Sequence, residues 1–105
     1  MLAGLIYVKK KNHWKRKYFV IYNDSFEYWK SNKNTKYGRK RIKEKYIKFG
    51  YNFDLSCLRK IIYKNKIAWT FKVYKNDKIS CSFFSYNKKI NDVFNKMKNG
   101  IYLLN

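Results

Sequence analysis

Short runs of Val, Ile, Tyr, Phe and Trp recur along this chain, separated by clusters of Asn, Asp, Gly and Lys, and that rhythm predicts a meander of short strands. Leu5 to Val8 forms the first run, Lys9-Lys10-Lys11-Asn12-His13 a polar loop, and Trp14 to Tyr22 the second run of a hairpin. Asn23-Asp24 then turns the chain into a third strand over Phe26 to Lys30, since Asn and Asp tolerate the backbone angles of tight turns. The stretch from Ser31 to Lys45 is polar and basic, with a turn at Gly38, and feeds a fourth strand near Arg41 to Lys48.

Phe53 to Ile62 reads as a fifth strand. Two cleaner alternations follow, with Ile67, Trp69, Phe71 and Val73 on one face, and Ile79, Cys81 and Phe83 on one face after the Asn76-Asp77 turn. Period two with one apolar face describes a half-buried antiparallel sheet. The period then changes, because Ile90, Val93, Phe94 and Met97 sit at i, i+3, i+4 and i+7, the apolar side of an amphipathic helix over about 87–99. Asn87 or Ser85 can cap its start, and Gly100 is expected to stop it. The expected organisation is one domain spanning 1–105, mainly β, with seven strands and one C-terminal helix.

Composition adds a sign to this outline. Lys and Arg number 26 against 6 Asp and Glu, a formal charge of +20, which draws nucleic acid, anionic lipid head groups or an acidic partner. Lys, Asn, Ile and Tyr are also the residues that A/T-rich coding enriches, so part of that charge needs no ligand to explain it. Cys57 and Cys81 show neither a disulfide framework nor paired zinc spacing, and read as small buried hydrophobes of a reduced, cytoplasmic chain. The apolar opening Leu2 to Ile6 is too short for a signal-peptide core or a spanning helix, and Leu2 rules out N-myristoylation.

Catalysis finds little support, since the sole histidine is His13 in a basic loop, no Gly-rich phosphate loop is present and the carboxylates are scattered. No enzyme, cofactor or metal is expected. The informative stretch is Trp14-Lys15-Arg16-Lys17-Tyr18-Phe19-Val20-Ile21, where alternation puts Lys15, Lys17, Phe19 and Ile21 on one face, cationic at one end and apolar at the other. Phe26, Tyr28 and Lys30 run back along the next strand in the same sense. A curved sheet closing over this face would bury the apolar residues and leave Lys15, Lys17, Tyr28 and Lys30 around a mouth.

In these residues the chain resembles a pleckstrin-homology (PH) domain: Gly4-Leu5-Ile6 opens the first strand, Lys9 to Lys11 make the basic loop, and Trp14 to Ile21 and Phe26-Glu27-Tyr28-Trp29-Lys30 follow in the family's order. Two residues depart from the pattern, Lys17 standing where phosphoinositide-binding members carry Arg and Phe94 where the helix normally carries Trp. The resemblance implies a partly open seven-stranded barrel of two orthogonal sheets, plugged at one end by the helix and holding an inositol phosphate head group at the other. It implies head-group contacts from Lys9 or Lys10, with face parity favouring Lys10, and from Lys15, Arg16, Lys17 and Tyr28, with Arg39 or Arg41 adding a further one. Lys11, His13 and Trp14 would meet the membrane interface, the indole ring suiting that layer. The expected function is a non-catalytic, monomeric membrane-targeting module of a signalling adaptor, peripherally bound to phosphoinositides or phosphatidylserine. The alternatives are a small barrel for single-stranded nucleic acid and a protein-interaction module without lipid binding.

Overall fold

The computed structural model describes residues 1–30 and 43–104, with the side chains of Lys43 and Leu104 outside that description. Its elements are β1 (Leu2–Lys10), β2 (His13–Ile21), β3 (Ser25–Lys30), β4 (Lys43–Lys48), β5 (Phe53–Leu55), β6 (Arg59–Tyr63), β7 (Lys66–Lys75), β8 (Lys78–Ser85) and α1 (Ile90–Leu104). All pairings are antiparallel, in the order β4-β3-β2-β1-β8-β7-β5, with β6 also on β7. β5 and β6 lie in line along one edge of β7 as halves of one broken strand, so the curled sheet has seven strand positions, and the expected Phe53 to Ile62 strand is interrupted at 56–58. Ser56 stitches that break to β7, its Oγ accepting from Lys72 N at 2.8 Å and its N donating to Lys72 O at 3.0 Å.

Turn chemistry fixes the hairpins. Lys64-Asn65 and Asn76-Asp77 both adopt positive φ, the mirror-image turn whose twist matches the strands it joins. Asn23-Asp24 has no left-handed residue, and Tyr22 N donating to Ser25 O at 2.8 Å closes it instead. β1 meets β8 only at Tyr7 and Val8, so the two halves form one continuous sheet bent at a short seam. Across the open side, Lys45 Nζ donates to Ser80 O at 3.1 Å and ties β4 to β8.

Inside the curl sit Ile6, Val8, Phe19, Ile21, Phe26, Tyr28, Phe71, Val73, Cys81 and Phe83, all buried. Two residues expected on this apolar face leave it. Ser80 is an extra residue where the β7–β8 register shifts, so parity flips beyond it and Ile79 is 55% exposed. Ile67 keeps the parity of Phe71 but lies past the core, opposite Ile62, and is 50% exposed. Cys57, in the break between β5 and β6, is exposed rather than buried.

The helix starts later and ends later than its apolar spacing suggests. Ser85 Oγ accepts from Asn87 N and Asn87 Oδ1 from Lys89 N, which satisfies donors ahead of Ile90. Ile90, Val93, Met97 and Ile101 plug the core, while Phe94 lies on the flank, partly buried, with its ring 5.3 Å from that of Phe71. Gly100 does not stop the helix. It is buried, and a Cβ there would stand 2.7 Å from the Asn23 carbonyl oxygen. Its bare backbone lets the helix dock on the β2–β3 turn, where Lys96 also donates to Asn23 Oδ1 at 2.8 Å.

The opposite face of the sheet carries a smaller aromatic cluster around Phe84, with the rings of Tyr7, Trp14, Tyr63 and Tyr86 between 4.6 and 5.2 Å from its centroid. Among the described residues, no helix is long and apolar enough to cross a membrane.

Candidate functional site

The inner face becomes cationic toward the end of β1 and β2 that lies away from the helix. Register explains why: Ile6 pairs with Lys17, Val8 with Lys15 and Lys10 with His13, so the same parity that buries Ile6, Val8 and Phe19 carries Lys10, Lys15 and Lys17 inward. Lys30 joins them by pairing with Lys17. Together with Lys11, Arg16 and Glu44 these residues line an open cleft of about 730 Å³. Among the described residues, Lys10, Lys11, Lys15, Arg16, Lys17 and Lys30 supply six cations to one concavity, His13 stands on its wall, and Glu44 is the one carboxylate.

Glu44 is the residue that sequence reasoning missed. β3 and β4 run in register through Tyr28 and Lys45, then resume at Trp29 and Lys43, which leaves Glu44 as the extra residue of a bulge. The bulge turns its carboxylate onto the inner face. Oε1 lies 2.8 Å from Lys10 Nζ and Oε2 2.8 Å from Lys17 Nζ. Burial works against the Glu44 charge, but hydrogen bonds and Coulombic attraction from the two lysines together outweigh it and hold the carboxyl below the usual glutamate range. The hydrogen bond to Glu44 in turn raises Lys10. The Lys17 side chain is 9% exposed, so its charge is spent within the protein.

Tyr28 does not line the cleft. It is buried among the core residues beneath it, with Lys10 Nζ 5.5 Å from its ring centroid, and burial raises its phenol above the ordinary value. Lys9 and Trp14 pair on the other face of the sheet, where Lys9 Nζ sits 5.9 Å from the indole centroid and the half-buried indole packs on Phe84. Lys11 and His13 lie in the cleft wall. Arg39 and Arg41 fall outside the described residues.

No protein-family model and no curated protein matches the chain. The curled antiparallel sheet with its C-terminal helix is compatible with a PH-like fold, and the site stands on its own chemistry.

Such a set of donors is chemically suited to an anion. Lys11, Lys15, Arg16 and Lys30 are exposed donors on the rim, able to follow a mobile anionic group, whereas Lys10 and Lys17 are already committed to a carboxylate. A second cavity of about 390 Å³, between the start of β1 and α1, is lined by Leu2, Gly4, Phe19, Ile90 and Val93 and has no comparable convergence of charge. Among the described residues no group of three His, Cys, Asp or Glu could hold a metal ion.

Proposed function

We propose that this chain is a non-catalytic PH-like module that docks peripherally on anionic membranes through the β1–β2–β3 cleft, with phosphoinositide head groups as its preferred ligand. The observation that carries the reading is the convergence of six cations on one open concavity at the end of the sheet away from the helix. Each Lys or Arg held close to an anionic surface is worth about 1 kcal/mol, so the four rim cations alone supply about 4 kcal/mol, millimolar-range docking without a stereospecific pocket. The order of strands, the closing helix and the basic Trp14 to Ile21 strand support membership of the PH superfamily.

Co-sedimentation with two vesicle sets of equal total charge tests it, one carrying phosphatidylserine alone and the other phosphoinositides. The wild-type chain should favour the phosphoinositide set. Lys15→Ala with Lys30→Ala should weaken binding by about 2 kcal/mol, roughly thirtyfold, while Lys88→Ala with Lys89→Ala, exposed at the start of the helix, should lose far less. Equal losses from the two pairs would mean diffuse charge attraction. Absence of binding to both sets would remove the lipid reading altogether.

A further inference from the structure

The cleft already contains an anion of its own. Glu44 is carried inward by a one-residue bulge, takes both Lys10 and Lys17 at 2.8 Å, and is partly shielded at the cleft's inner end. Three groups that would otherwise read as two phosphate-binding cations and a bystander form a closed set with a single net positive charge. A phosphate entering that inner position would bring its charge against the Glu44 carboxylate and would have to draw Lys17 out of a site in which it is almost wholly buried.

The rim differs. Lys11, Lys15, Arg16 and Lys30 are exposed, and among the described residues no acidic side chain other than Glu44 lines the cleft. A ligand phosphate at the rim therefore meets uncommitted cations, and a second or third phosphate directed inward meets a subsite that is filled.

We propose, on the basis of the anion-binding reading above, that Glu44 acts as an internal counter-anion which restricts the cleft to head groups engaging it through one phosphate monoester, and denies polyphosphorylated head groups the affinity their extra charge would otherwise bring. Glu44 is thus a specificity-determining residue that sets how many phosphates the site rewards.

Calorimetric titration of the soluble probes inositol 1-phosphate and inositol 1,4,5-trisphosphate tests this without a membrane. The wild-type chain should bind the two within about threefold of each other, and Glu44→Gln should tighten the trisphosphate by about tenfold while leaving the monophosphate within about threefold. Asp92→Asn, which adds the same unit of charge on the exposed start of the helix, should leave the ratio unchanged. Lys17→Met combined with Glu44→Gln removes both members of the more buried pair. It should fold and lose the gain for the trisphosphate, which keeps the test open if the single variant is unstable. A trisphosphate preference already present in the wild type, or a ratio that Glu44→Gln does not move, overturns the proposal while leaving the docking function intact. Failure of every variant to bind either probe or phosphoinositide vesicles overturns the docking function and the proposal with it.

Discussion

At Gly100 two tendencies of opposite sign meet. Alanine is the better helix former by about 1 kcal/mol, yet its Cβ would stand 2.7 Å from the Asn23 carbonyl oxygen and 3.1 Å from the Phe49 ring. Overpacking against fixed backbone costs about 1 to 3 kcal/mol, so Gly100→Ala should lower the denaturant midpoint; a higher midpoint would place the helix end off the turn. Glu44 makes a second prediction through linkage. Its carboxyl is depressed in the folded chain, so its contribution is present above the ordinary glutamate value of 4.5 and is lost as pH falls through the lower, folded value. Lys10 is raised, so its contribution is present below 10.5 and is lost as pH rises through its higher folded value. Melting temperatures followed into acid should therefore fall less steeply for Glu44→Gln than for the wild type, and parallel curves would show that the carboxylate is not held by the lysines. Inward parity was legible in the spacing of Lys15, Lys17, Phe19 and Ile21, because alternation needs only neighbours. Glu44 was not, because its direction depends on one extra residue in β4, a strand whose own start had no readable boundary in the polar, basic stretch before it.

Elements were legible to the extent that one face of each is buried. β2 and β3 run close to their expected bounds, since their aromatic residues alternate against the core. The fifth strand position is broken at 56–58, where Ser56 turns its hydroxyl to β7, a local substitution of side chain for ladder that hydropathy cannot register. For the helix, period 3.6 gave the correct stripe but not the end of it, because Gly100 marks a close approach here and Ile101 continues the buried line. Met97→Ala should cost about 2 to 5 kcal/mol in chemical unfolding, as truncation of a fully buried side chain does. Phe94→Ala should cost clearly less than Met97→Ala, since Phe94 is only partly buried on the flank; the reverse order would mean that the helix is rotated about its axis.

For the molecule as a whole, a charge of +20 on 105 residues makes long-range attraction to any polyanion unavoidable, and it is screened within about 8 Å at physiological salt. Raising salt should weaken binding to phosphatidylserine vesicles more steeply than binding to phosphoinositide vesicles, because a seated head group is partly sheltered from ions; identical salt slopes would leave only the diffuse field. The same global arrangement governs how the chain reaches its native state. β1 closes on β8 through Tyr7 and Val8, and α1, which follows every strand in the sequence, delivers Ile90, Val93, Met97 and Ile101 to the interior. The early and late parts of the described chain must find each other before either half of the sheet can shed water from its inner face. Loop-closure entropy is thus lost well ahead of most of the burial that offsets it, which places refolding in the roughly millisecond-to-second regime of nonlocal β topologies. Until the seam forms, a row of Phe, Ile and Tyr side chains stands open to other copies of itself, held apart chiefly by the mutual repulsion of the lysines interleaved with it.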